Sequence, residues 1–218
     1  MGEARAHRAE GFRQTWPLYM YRVDAADSLW HRRGEPVPAN PPPPEVEMRW
    51  LSAAEWESGP SLLPAPERLV SQRFTEGGRC LIMKRRDSGQ LVYHLWVATS
   101  GAWIGWIGAR VVPPAGYALV FDVWAHPDWR RGRLHIAGAT EAARAINDLG
   151  LRGMVAGVEE HEVVPFARMY ARAGLGFVLP YEVLVWHRLG PSSWHRRSQP
   201  GDYLLERCAE IRLRYEEP

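Results

Sequence analysis

An α/β (α+β) domain, with a mostly antiparallel central sheet flanked by helices, is the fold class that the sequence predicts. Three observations carry it. Apolar runs of strand length follow one another between residues 79 and 125, the apolar spacing switches to the helical period from Leu134 to Leu149, and strand and helix patterns alternate from there to His187. The 218 residues suffice for one well-buried domain of about 150 residues with extensions at its ends.

Taken in order, the elements begin with a boundary. From Pro36 to Pro44 (PVPANPPPP) repeated prolines remove backbone donors and favour an extended, solvated path, so residues 1–45 read as an N-terminal extension and linker. Within that extension Pro17 to Val23 (PLYMYRV) is one docked strand. The compact domain is expected over 46–190. Val46 to Leu51 alternates as a half-buried strand does, and Ser52-Ala53-Ala54-Glu55 supplies a capping box for a helix behind it. Arg79 to Lys84 and Gln90 to Val97 form a hairpin about Asp87-Ser88-Gly89. Ala102 to Val112 and Tyr117 to Ala125, each stopped by proline, complete a four-stranded meander. Ile136, Ala139, Ala143 and Ile146 then recur at helical spacing, with alanines small enough to let the helix sit close to the sheet. Arg152 to Val158 is a fifth strand, Val164 to Ala173 a helix, and Phe177 to His187 a sixth and seventh strand interrupted at Pro180. Residues 191–218 form a tail whose segment Tyr203 to Leu213 has helical spacing.

Composition excludes several functions. The 27 Lys and Arg stand against 25 Asp and Glu, a net charge of +2, and only Lys84 is lysine, so the arginine pairs reflect a uniform bias and no nucleic-acid partner is expected. No apolar run approaches the roughly 20 residues that cross a bilayer, and the opening MGEARAHRAE is polar where a signal peptide needs an apolar stretch. No membrane partner is expected, and the location is expected to be cytoplasmic. Cys80 and Cys208 are too few for a disulfide framework, and His161-Glu162 lacks the second histidine of a zinc-protease motif, so no metal is expected.

Chemistry concentrates in Asp122 to His135, DVWAHPDWRRGRLH: a strand, a proline-bounded turn, a basic loop with Gly132, and a helix start. A helix start exposes N–H groups at the positive end of its dipole and accepts anions, and Arg130, Arg131 and Arg133 add charge-assisted donors, so a diphosphate suits this loop. Asp122 interrupts an apolar strand, alternating with Val120 and Trp124, where burial would raise its pKa and make it a proton acceptor. A structural aspartate, hydrogen-bonded across the sheet, is the alternative. Glu159 and Glu160 follow the fifth strand and offer a base acting through water.

On these residues the chain resembles the GNAT superfamily of N-acetyltransferases. That family's pattern is a strand, Val-x-Pro-x-(Tyr/Trp)-Arg-Gly-x-Gly-x-Gly, a helix, a strand, and a second helix ending Leu-Tyr-x-x-x-Gly-Phe. Here Ala125-His126-Pro127-Asp128-Trp129-Arg130-Arg131-Gly132-Arg133-Leu134-His135 matches the first motif, and the run from Arg168 through Tyr170 to Phe177 matches the second. The pyrophosphate loop is degenerate. With Arg130 in register, Arg133 and His135 replace two of its glycines, and the glycine-phenylalanine pair, Gly176-Phe177, comes two places late. The similarity spans roughly residues 46 to 190.

The resemblance implies a mixed sheet whose fourth and fifth strands splay apart around the pantetheine arm of acetyl-CoA or another acyl-CoA. Trp124, Ala125, Arg130, Arg131, Gly132, Arg133, Leu134 and His135 would hold this donor, with Tyr170 protonating the leaving thiolate and Asp122 or Glu160 taking the amine's proton. An acyl carrier protein could replace coenzyme A, because the basic rim would serve its single phosphate. The acceptor is a small-molecule or peptide amine, and a homodimer is left open. A non-catalytic binding module on the same fold is the alternative that the altered glycine loop favours.

Overall fold

The capping box closes as its spacing requires. The Ser52 N–H donates to Glu55 Oε2 at 3.1 Å and the Glu55 N–H to Ser52 Oγ at 3.2 Å, which satisfies two N–H groups that the first helical turn leaves over. The computed structural model describes residues 13–24, 39–58, 63–104, 109–113, 115–130, 132–159, 164–166, 168–169, 178–188 and 193–198. For residues 13–24, 109, 158–159, 178–188 and 193–198 it describes the backbone alone.

In chain order the elements are β1 (Arg13–Asp24), β2 (Val46–Leu51), α1 (Ala53–Ser58), α2 (Glu67–Thr75), β3 (Arg79–Arg85), β4 (Leu91–Ala98), β5 (Ala102–Ile104), β6 (Ala109–Val111), β7 (Tyr117–Ala125), α3 (Arg133–Asp148), β8 (Gly153–Glu159), β9 (Val178–Arg188) and β10 (Ser193–Ser198). Residues 164–166 and 168–169 are helical as well. Eight strands form one sheet in the order β10-β9-β1-β8-β7-β4-β3-β2, with β7 and β8 parallel and every other neighbouring pair antiparallel. The α/β architecture is therefore mixed but mostly antiparallel, with helices on its faces.

The alternation of each strand divides the core in two. Leu81, Met83, Tyr93, Leu95, Ala118, Val120 and Met154 pack on one side with Leu134, Ala137, Ala142 and Ile146 of α3. Cys80, Ile82, Trp96, Leu119, Phe121 and Val155 pack on the other with Trp56 of α1 and Val70 of α2. Full burial of one such large side chain contributes about 1.5–3 kcal/mol. The small residues of α3 bring its axis close to the sheet. At Gly138 an added Cβ would lie 2.6 Å from Cε1 of the fully buried Tyr93.

Several elements differ from the sequence reading. The apolar run from Ala102 folds back into the separate hairpin β5–β6, so β4 pairs directly with β7 and the four-stranded meander is not formed from these runs. α2 was not anticipated from the sequence. β9 is a single strand across Pro180, which falls where the register against β1 shifts between Met20 and Arg22, an irregularity that tolerates a residue without an N–H. The strand expected ahead of the proline linker forms as β1, and it inserts between β8 and β9, so the sheet takes in residues from both sides of the linker. The tail contributes β10, and the helix expected over 203–213 lies outside the described residues. Among the described residues no helix is long and apolar enough to cross a membrane.

Replacing Gly138 by Ala tests the close approach of α3. Overpacking against the Tyr93 ring outweighs the alanine's better helix propensity, and urea denaturation should show a loss of about 1–2 kcal/mol.

Candidate functional site

β7 meets its two neighbours over different lengths. Against β4 it pairs from Leu119 opposite Ala98 to Ala125 opposite Tyr93, and the His126 N–H extends that ladder to Val92 O at 2.9 Å. Against β8 it pairs only from Tyr117 opposite Gly153 to Val120 opposite Ala156. β8 stays with β1 up to Glu159 opposite Leu18. The two parallel strands thus part after Val120, and among the described residues β7 has no strand partner on that side from Phe121 to Ala125. Since His126 directs its N–H at β4, alternation turns the polar groups of Ala125 toward the opening. The Arg130 Nε–H donates to Ala125 O there at 3.1 Å.

A β-bulge sits where the strands part. Trp96 opposes Phe121 and His94 opposes Trp124, so β7 carries one residue more than β4 between these pairs, and Asp122 takes φ +46°. This corrects the expected alternation of Asp122 with Val120 and Trp124. Val120 packs on the α3 side, whereas Asp122 reaches the opposite side and pairs with Arg73 of α2. Arg73 is 7% exposed and lies over two rings, 5.2 Å from the centre of Trp96 and 5.1 Å from that of Phe121. His94 Nε2 is 3.8 Å from Asp122 Oδ2, too far for a hydrogen bond, and the His94 ring stacks on Trp124 with centroids 5.8 Å apart.

The carboxyl of Asp122 is shifted down, opposite to the sequence expectation. Burial pushes it up, but the neighbouring His94 ring and the Arg73 guanidinium together outweigh burial and bring it down to about 2. The side chain keeps 39% exposure, which leaves the carboxylate reachable from solvent.

At the far end of the opening, Pro127–Trp129 makes one 3-10 turn and Gly132, at φ +80°, begins α3. Among the described residues nothing lies within 4 Å of a Cβ added at Gly132. No side chain among the described residues caps α3 and no acidic residue occupies its first turn, so none of them compensates its leading N–H groups and positive dipole end. The side chains of Arg130 and Arg133 are exposed beside them, and Leu134 is buried in the core, which leaves only its backbone to the loop.

His135 points inward. Its Nδ1 is 3.1 Å from Tyr93 Oη, and its ring meets Phe166 edge-on at 4.9 Å. Burial lowers its pKa to about 4, so it is neutral at pH 7 and its side chain does not crowd the loop.

The structure therefore brings Trp124, Ala125, Arg130, Gly132, Arg133 and the Leu134 and His135 backbones along one path, from the parted strands to the start of α3. Arg131, Glu160 and Tyr170 lie outside the described residues. The sequence reading missed Arg73, His94 and Tyr93. Arg73 follows Val70 by three places on the sheet-facing side of α2, a helical offset that was legible once that helix was recognised. His94 sits within an apolar strand and carries no comparable signal.

No family model matches the sequence, and no curated protein matches it. Solved structures do share its fold. A GCN5-related N-acetyltransferase from Sphaerobacter thermophilus is 18% identical, with 87% of this chain aligned to 54% of that one at a TM-score of 0.52. A Drosophila protein, also 18% identical, aligns 82% of this chain to 52% of its own at 0.51. The chain spans about half the length of these structures, and at this identity the likeness is one of fold.

Two measurements test the electrostatics. Removing the carboxylate in Asp122→Ala leaves a buried guanidinium without its counter-charge. Breaking a buried pair costs about 3–5 kcal/mol, and the partial exposure of Asp122 reduces the expected loss in urea denaturation to about 2–3 kcal/mol. Stability also rises with pH wherever the unfolded chain binds more protons than the folded one. The neutral His135 contributes fully above its ordinary 6.5, and that contribution is lost as pH falls toward about 4. Between pH 7 and 4, His135→Gln should therefore lose less stability than the wild type; parallel curves would contradict the buried placement of this ring.

Proposed function

On the premise that this chain has the GNAT fold, we propose that it is an acyltransferase. It moves an acetyl or longer acyl group from a pantetheine thioester, carried by coenzyme A or by an acyl carrier protein, to an amine. The observation that supports this most directly is the parting of β7 from β8 after Val120, with the uncapped start of α3 at the end of the opening. An extended arm containing amides suits such a slot, because the β7 edge offers it the hydrogen bonds that a further strand would have made. A diphosphate would rest over Gly132, facing the N–H groups of Arg133, Leu134 and His135, with the side chains of Arg130, Arg131 and Arg133 around it. Arg130 would release Ala125 O as the arm enters, and its exposure keeps that exchange inexpensive.

In this reading the amine attacks the thioester carbonyl directly, and the fold contributes chiefly by holding the two reactants together. Tyr170 donates a proton to the departing thiolate, and Glu160 serves as a base through water. Asp122, held ionised at about 2, is too weak a base at neutral pH to keep the amine's proton, and its role is to receive and orient the amine as an ammonium ion. The acceptor is a small molecule or a peptide amine.

A second reading, a binding module that has lost the acyl donor, is favoured by the Arg130 contact on Ala125 O and by Arg133 standing where the family has glycine. Thermal denaturation separates the two. A donor at 100 times its dissociation constant should add about 2.7 kcal/mol to the stability, so acetyl-CoA should raise the unfolding temperature by several degrees. No shift with acetyl-CoA, longer acyl-CoA or acyl carrier protein would favour the binding module. In a turnover assay Tyr170→Phe should lower kcat with little change in donor KM, whereas the reverse pattern would make this residue a packing element.

A further inference from the structure

His94 is 2% exposed, yet neither of its ring nitrogens has a hydrogen-bond partner among the described residues. A polar group left in this state costs about 1–3 kcal/mol, and an apolar ring of similar shape would avoid that cost. What the imidazole adds is a site for a proton. Its surroundings are arranged around that site. Trp124 stacks on one face of the ring, and Nε2 lies 3.8 Å from the Asp122 carboxylate, a gap that a small rotation or one water closes. The bulge puts Asp122 on this side of the sheet, two residues past the last pairing of β7 with β8, with its side chain partly exposed. Asp122 thus connects a buried imidazole to the place where the strands part.

We propose that His94, in place of Glu160, is the residue that takes up the proton lost by the attacking amine, passed inward by the Asp122 carboxylate. This rests on the transfer reading above. The acceptor arrives as an ammonium ion against Asp122, one N–H proton moves by way of Asp122 to a nitrogen of His94, and the freed amine attacks the thioester carbonyl. The new C–N bond forms as the C–S bond breaks, the thiolate leaves as a thiol with a proton from Tyr170, the nitrogen sheds its second proton to restore Tyr170 through solvent, and the protonated His94 returns its proton to solvent through Asp122. Overall, ammonium and thioester give amide, thiol and one released proton. Histidine is the side chain that ordinarily changes charge between about pH 5 and 8, which suits it to hold a proton that a strongly ionised carboxylate only passes on. Among the described residues, the charged and titratable groups placed around His94 include Asp122 of β7, which favours the imidazolium, Arg73 of α2, which opposes it, the Cys80 thiol of β3, which burial keeps protonated, and His126, whose ring meets the covering Trp124 edge-on.

The test follows the ring itself and then the reaction. In the full chain with labelled histidine, His94→Phe assigns the His94 signals, which are followed by NMR from pH 5 to 9 in the wild type and in Asp122→Asn. Asparagine keeps the shape and tolerates the positive φ. The His94 ring signals should respond to pH, and that response should differ between the wild type and Asp122→Asn. A ring whose signals are the same at every pH, or whose response is identical in the two proteins, overturns the relay. Thiol release from acetyl-CoA with a panel of primary amines should fall on the order of 10²-fold in His94→Phe and His94→Gln with donor KM unchanged, and the acid limb of the pH profile should disappear. Retention of the wild-type profile by either variant also overturns it. Failure of the wild type to bind any of acetyl-CoA, longer acyl-CoA and acyl carrier protein in the thermal assay, or to release thiol from any of them with any amine, counts against the transfer reading itself, and with it against the relay.

Discussion

β7 must satisfy an antiparallel neighbour from Leu119 to its end and a parallel one only up to Val120. The extra residue at Asp122 reconciles the two. A bulge adds local twist, so the half of the strand beyond it can follow β4 while swinging away from β8. The left-handed backbone of Asp122 is an uncommon conformation for a residue with a side chain, and the ion pair with Arg73 holds it from the α2 side. The opening, its exposed backbone edge and the direction of Trp124 all depend on this arrangement.

Much of the fold was legible because it is written in local patterns. The capping box, the Asp87-Ser88-Gly89 hairpin and the alanine face of α3 each use a short-range signal with one physical meaning. What escaped depends on distant partners. Alternation cannot announce an added residue, so Asp122 was assigned the wrong side of its strand. The apolar run from Ala102 to Val112 fits one long strand as well as the hairpin β5–β6. The strand ahead of the prolines was expected, but its place inside the sheet, between β8 and β9, was not.

The candidate site was legible in outline and not in its electrostatics. The basic loop and the helix start could be placed because their spacing is local. The charge state of Asp122 could not, because it is decided by Arg73, 49 positions away in sequence, and by His94 on the neighbouring strand. Burial alone would have made this carboxylate a base. A cation buried with it makes it a fixed anion, and any proton that must be stored nearby has to be stored elsewhere.

The insertion of β1 between β8 and β9 has a consequence for the growing polypeptide. Arg13 pairs with Arg188, so β1 leaves the ribosome well before both of its partners and has no ladder on either side until nearly the entire sheet has been translated. Throughout that interval its amides and carbonyls remain available to any other extended segment, including those of neighbouring nascent chains. The prolines that follow it, which cannot extend such a pairing, give it a natural barrier to errant assembly on its C-terminal side.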